Sequence, residues 1–117
     1  MNEIINQCCK IWDVKPEHFV FARTRKKTAQ KQILIMLLAQ HRYEYKAIGI
    51  ALYFAHPENA GRSAKQGVTM LQVKDKMFLK YYNPVAHLFP ENPLTHNYNK
   101  KQTRYKYGTN KLHTATV

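Results

Sequence analysis

Five cations, Arg23, Arg25, Lys26, Lys27 and Lys31, fall within nine residues that contain no acid. The stretch that follows, Ile33-Leu-Ile-Met-Leu-Leu-Ala39, is so apolar that it must be buried, so the cations stand at the entrance to a core helix. Cationic side chains and the free N–H groups of a helix start act in the same direction on a phosphate backbone. A solubilising loop is the plain alternative. A second group, Arg62, Ser63, Lys65, Gln66 and Thr69, opens a later helical pattern. Arg and Gln are types that can read base edges through paired hydrogen bonds, against the alternative of an ordinary solvated helix face. A third group lies near the C-terminus, where Lys100, Lys101, Arg104 and Lys106 alternate with Tyr98, Tyr105 and Tyr107. Tyrosines so interleaved can stack on unpaired bases, and incidental tyrosines in a disordered tail fit the pattern equally well.

Catalytic chemistry finds little to work with. The seven acids, Glu3, Asp13, Glu17, Glu44, Glu58, Asp75 and Glu91, are scattered singly, which disfavours a paired-carboxylate or metal-dependent hydrolytic site. Ser63 is the only serine and reads as the N-cap of its helix rather than as a nucleophile. His18, His41, His56, His87, His96 and His113 show neither zinc-finger nor H-E-x-x-H spacing. The expectation is a non-enzymatic protein with no metal and no cofactor.

The bulk charge agrees with phosphate binding. Nineteen Lys and Arg against seven Asp and Glu give a net charge of +12 over 117 residues, with a pI near 9.9. A compact domain with so much self-repulsion calls for a polyanionic partner, nucleic acid first, then an anionic membrane surface, then an acidic protein. The apolar runs 33–39 and 47–55 are too short to span a bilayer, no secretory signal pattern is visible, and no membrane partner is expected. Cys8 and Cys9 are adjacent and supply no disulfide framework, so a reducing compartment is expected, the cytoplasm of a bacterium or of an infected host cell.

The elements that position these groups follow from periodicity. Ile4, Ile5, Cys8, Ile11 and Trp12 mark an amphipathic first helix, with Cys8 as a small buried hydrophobe. Asp13-Val-Lys-Pro16 breaks it, and Pro16 suits the first turn of a short helix that turns Phe19 inward. Residues 28–41 read as a central helix, with Thr28 as a candidate cap and apolar residues almost all round. Tyr45 to Phe54 reads as a third helix, in which Gly49 implies either a close helix crossing or a tolerated weak point. After the turn His56-Pro-Glu-Asn-Ala-Gly61, a helix is expected from Ser63 to about Tyr81. Pro84, Pro90 and Pro93 then disfavour regular helix, so residues 1–82 read as one domain and 83–117 as an irregular basic, Tyr-rich extension.

The order of elements from the N-terminus resembles the C-terminal DNA-binding domain of the bacterial replication initiator DnaA over about residues 3–80. Ile5-Asn-Gln-Cys-Cys9-Lys-Ile-Trp12-Asp-Val14-Lys-Pro-Glu17-His-Phe19 is similar to that family's opening helix and its V-x-x-E-x-L step. Arg23-Thr-Arg25-Lys26-Lys27 falls at its basic loop. Ala29-Gln-Lys31-Gln32-Ile33-Leu-Ile35-Met36-Leu37 resembles its A-R-x-x-A-M-Y-L helix, and Ile48-Gly49 the I-G of its helix-turn-helix. The family's recognition helix opens R-D-H-T-T-V, whereas this chain has Arg62-Ser63-Ala64-Lys65-Gln66-Gly67-Val68 after a longer turn. The resemblance therefore implies the scaffold and the backbone anchoring, and does not extend to the initiator's own DNA box.

The expected fold is all-α, a small helical bundle with a helix-turn-helix and a basic tail. The expected function is binding of double-stranded DNA by a small regulator of transcription or replication, for which a phage or mobile element is a natural home. The contact residues would be Arg23, Arg25, Lys26, Lys27, Lys31, Arg62, Ser63, Lys65, Gln66 and Thr69, with tail contacts from Lys100, Lys101, Arg104, Tyr105 and Lys106. An RNA or single-strand binder using the tail, and a virion or structural interaction protein, are the alternatives.

Overall fold

The computed structural model describes residues 1–20 and 24–98, which form a small all-α bundle with no strand among them. The first helix, α1 (Asn2–Trp12), buries Ile5, Cys8 and Cys9. The inward stripe is rotated slightly from the expected one, taking Cys9 in place of Ile11, which is 38% exposed. A short 3-10 helix, Pro16–Phe19, follows and turns Phe19 into the core as anticipated.

The hub is α2 (Arg25–Gln40). Every residue from 32 to 40 is buried, and Ile33 to Leu38 are without solvent exposure. Each such apolar side chain contributes about 1.5–3 kcal/mol relative to an exposed one, which makes this helix the chief source of stability. Its cap is Thr24 rather than Thr28: the Thr24 hydroxyl accepts the Lys27 N–H at 3.1 Å. The earlier start draws Arg25, Lys26 and Lys27 out of the expected loop and into the first helical turn.

The third helix, α3 (Tyr45–Ala51), stops short of Phe54. Beyond it a second 3-10 turn, Pro57–Asn59, leads into α4 (Ala60–Gln72). The helix expected from Ser63 to Tyr81 is two helices, because the chain breaks after α4 and restarts as α5 (Lys76–Tyr82). Asp75 caps the restart, its carboxylate accepting the Phe78 N–H at 2.9 Å. Ser63 is not a cap; the helix opens one turn earlier at Ala60, and Ser63 lies half-buried inside it.

One device ends α1, α2, α3 and α4. Asp13, Arg42, Tyr53 and Lys74 each take a left-handed backbone conformation, with φ of 57°, 72°, 64° and 57°. At each site the left-handed residue and its successor donate N–H bonds back across the helix end, as in Val14 to Cys9 (2.9 Å) and Phe54 to Gly49 (2.9 Å). This is the Schellman arrangement, normally built on glycine because other residues meet Cβ strain there. Among the described residues no glycine has a positive φ. Gly49 and Gly67 instead permit close packing. A Cβ on Gly49 would stand 2.4 Å from the Pro57 carbonyl oxygen, and one on Gly67 would stand 2.6 Å from Met36 Sδ. The close approach implied by Gly49 is real, but its neighbour is the 3-10 turn rather than another helix.

The expected boundary after 82 does not match the packing. A 3-10 helix, Asn83–Leu88, buries Val85, and Phe89 lies edge-on to Tyr82 at 5.3 Å between ring centres. The chain then runs back over the bundle to Tyr98, which is buried. Buried Gln40 holds this strap, accepting the Glu91 N–H at 2.9 Å and donating to the Tyr98 hydroxyl at 3.2 Å. Pro84 is accommodated at the start of the 3-10 helix, and Pro90 and Pro93 fall in the following strap, which is not helical.

Candidate nucleic-acid interface

The geometry of α4 separates its two faces cleanly. Ala60, Ala64, Gly67 and Leu71 are buried, at helical spacing. Gly67 crosses α2 so closely that Gln32 Cβ and Met36 Sδ fill the space a side chain would occupy. The opposite face presents Arg62, Lys65, Gln66, Thr69 and Gln72 to solvent. Sequence reasoning had named the first four of these. The Thr69 hydroxyl donates to the Lys65 carbonyl at 3.3 Å, so it is partly engaged by its own helix.

The basic first turn of α2 lies beside the other end of α4. Thr24, Arg25, Thr28, Ala29 and Gln32 line one recess with Met70 from the end of α4 and with Asp75 and Met77 around the start of α5. Arg62 and Lys65 line a different recess, of about 400 Å³, with Tyr45, Glu58, Asn59, Gly61 and Tyr98. Eight residues separate 62 from 70, or about 12 Å along a helix at 1.5 Å per residue. That is close to the width of the major groove, about 12 Å. The two cation groups thus bracket the middle of α4, where Gln66 and Thr69 are exposed.

The cations of the cluster do not act alike. Successive helix residues point about 100° apart, so Arg25, Lys26 and Lys27 fan around the mouth of α2 instead of forming a stripe. Arg25 and Lys26 are exposed, whereas Lys27 and Lys31 are half-buried. The Lys31 ammonium lies 5.1 Å from the centre of the Phe54 ring, which draws it toward the end of α3 and away from the other cations. The Lys26 ammonium stands 5.8 Å from the Tyr81 ring centre, and that of Lys80 stands 5.6 Å from the same ring. Lys80 was missed by sequence reasoning, although it follows α5's buried Phe78 by two residues and so must face away from the core. The Tyr81 backbone is fixed in turn, its carbonyl accepting the Trp12 indole N–H at 2.8 Å.

Arg23 and the tail residues Lys100, Lys101, Arg104, Tyr105 and Lys106 lie outside the described residues. Tyr98, read as a base-stacking candidate, is buried instead, and burial pushes its phenol up to about 12. Among the described residues no three His, Cys, Asp or Glu side chains gather into a metal-ligand set, and no helix is long and apolar enough to cross a membrane. Compared with known proteins, the chain matches no family model, no curated protein and no solved structure.

Proposed function

We propose that the protein is a non-enzymatic binder of double-stranded DNA that anchors through the first turn of α2 and reads through the exposed face of α4. The observation that carries this reading is electrostatic. Arg25, Lys26, Arg62 and Lys65 are exposed on adjoining helices and make no ion pair with another described residue. Three cations in the first turn of α2, with no acid, also oppose the helix dipole, at a cost of about 0.3–1 kcal/mol each. A phosphate at that position removes the conflict.

In this reading α3 and α4 act as a helix-turn-helix, in keeping with the resemblance to the DnaA C-terminal domain. Residues 52–59, with their own 3-10 turn, replace the motif's turn of about three to four residues. Lys65 and Gln66 reach base edges while Arg25 and Lys26 hold phosphates, the role assignment of a small regulator of transcription or replication. The test is a selection of random duplexes at stated salt, followed by titration of the preferred site. About five neutralised phosphates give a log K against log salt slope of about −4 to −5. A folded Lys65→Ala, Gln66→Ala variant should lose about 1–3 kcal/mol of discrimination at one or two positions. A slope near zero refutes the anchoring, and an unchanged site preference refutes the role of α4.

A further inference from the structure

Val73 is apolar and yet 66% exposed at the end of α4. Its N–H donates to the Thr69 carbonyl at 3.0 Å, so the helical register still holds at this residue. At about 100° per residue, Gln66, Thr69 and Val73 fall within about 60° of one another around the helix axis. All three are exposed. They form one stripe, with an amide at its start and an apolar side chain at its end.

Thr69 belongs to the apolar end of that stripe. Its hydroxyl donates to the Lys65 carbonyl at 3.3 Å and is thereby turned back on its own helix. What the side chain offers to a ligand is its methyl group. Val73 follows one turn later, at the spacing that brings side chains on a helix to about 5–6 Å between Cβ atoms. The exposed face of α4 therefore closes with two neighbouring branched side chains whose methyls face water. Cations flank the stripe. Arg62 lines a recess at the start of α4, and Arg25 lines another with Met70 and Asp75, which stand on either side of Val73 in the chain.

We propose that Thr69 and Val73 together hold the C5 methyl of a thymine, which adds an A·T requirement to the DNA site at the Arg25 end of α4. The inference rests on the DNA-binding reading above and names a base that α4 selects. Thymine is the occupant because, of the four bases, it alone presents a methyl group in the major groove, where apolar side chains contact it. The cations on either side suit the phosphates that flank such a base. A second copy of a chain with net charge +12 would be repelled. Val73 lies about 10 Å along the helix from Gln66, so at 3.4 Å per base step the thymine falls within about three steps of the position that Gln66 reads.

The test uses the full chain and the duplex preferred in the selection described above. Each thymine is replaced singly by deoxyuridine, which keeps the base pair and the O4 acceptor and removes only the methyl. One such replacement should weaken binding of the wild type about fourfold, the effect of leaving one methyl-sized group out of an apolar contact. Val73→Ala should weaken binding to the thymine duplex by a similar factor and should be insensitive to deoxyuridine at that position. Because Val73 is exposed, this variant should keep the wild-type circular dichroism spectrum. Two changes at Thr69 separate its methyl from its hydroxyl. Thr69→Val should retain the sensitivity to deoxyuridine, and Thr69→Ser, which keeps the bond to the Lys65 carbonyl, should lose part of it. A wild type indifferent to every deoxyuridine, full sensitivity in Val73→Ala, or lost sensitivity in Thr69→Val overturns the methyl contact. If a Gln66-dependent preference survives any of these results, the DNA reading stands without the methyl contact. A wild type with no site preference at all overturns both.

Discussion

Gly49→Ala separates packing from helix propensity and gives them opposite signs. In a helix interior Ala is favoured over Gly by about 0.8–1.0 kcal/mol, so propensity alone predicts a more stable protein. The structure predicts the reverse. The new Cβ would lie 2.4 Å from the Pro57 carbonyl oxygen, 2.6 Å from its Cα and 2.9 Å from its carbonyl carbon. Ordinary contact begins at about 3.4 Å, so the 3-10 turn must withdraw by about 1 Å. All three atoms are backbone, and the proline ring fixes φ, so no side chain can swing aside. Overpacking costs about 1–3 kcal/mol, and here the upper half of that range applies. After the propensity gain the net loss is about 1–2 kcal/mol, a fall of about 4–12 °C in the midpoint of thermal unfolding followed by circular dichroism. Gly67→Ala is the control. Its nearest neighbour is Met36 Sδ at 2.6 Å, the far end of a flexible side chain, so repacking and propensity should nearly cancel. A midpoint that rises in Gly49→Ala would refute the packing of α3 against Pro57, and one that falls further in Gly67→Ala would refute the yielding of Met36.

Lys74→Gly should raise stability by about 0.5–1 kcal/mol in urea titration, since Lys74 occupies a left-handed position (φ 57°) that suits glycine; a loss would contradict the Schellman stop between α4 and α5. Burial, reinforced by adjacent Cys9, pushes the Cys8 thiol from 9.0 up to about 12, and burial, reinforced by Glu17, raises that of Cys9. Both thiols should therefore resist alkylation at pH 8 until the protein unfolds. Because the folded state holds these protons more tightly, their contribution to stability is complete below pH 9 and is lost as pH rises toward about 12. Rapid labelling of either cysteine in the native protein would contradict this.

Much of the framework was legible from residue types alone, through burial pattern and charge. The run Ile33–Ala39 could only be a buried hub, Phe19 had to turn inward after Pro16, and Cys8 had to be a core residue; all three are buried. The surface positions Arg25, Lys26, Arg62, Lys65 and Gln66 were equally legible, because charged and amide side chains opposite an apolar stripe face water. Element ends were not. Helices were drawn too long past Ala51 and Gln72 because their stops rest on Tyr53 and Lys74, where glycine is the usual signal. Caps were misassigned within a run of equivalent hydroxyl residues, Thr24 and Thr28 offering the same chemistry four residues apart.

Composition and periodicity by themselves determined an all-α chain, its hub helix and its excess of positive charge, since each depends on local sequence. Only the tertiary structure decided that residues 83–98 belong to the fold, because their burial depends on a distant partner, the amide of Gln40. It alone also placed Lys26 beside Lys80, and Arg62 and Lys65 beside Tyr98. Those neighbours are 54, 36 and 33 residues apart in the chain, and a helix period reaches about four residues. Contacts at that range arise from how the helices cross, as α4 crosses α2 at Gly67.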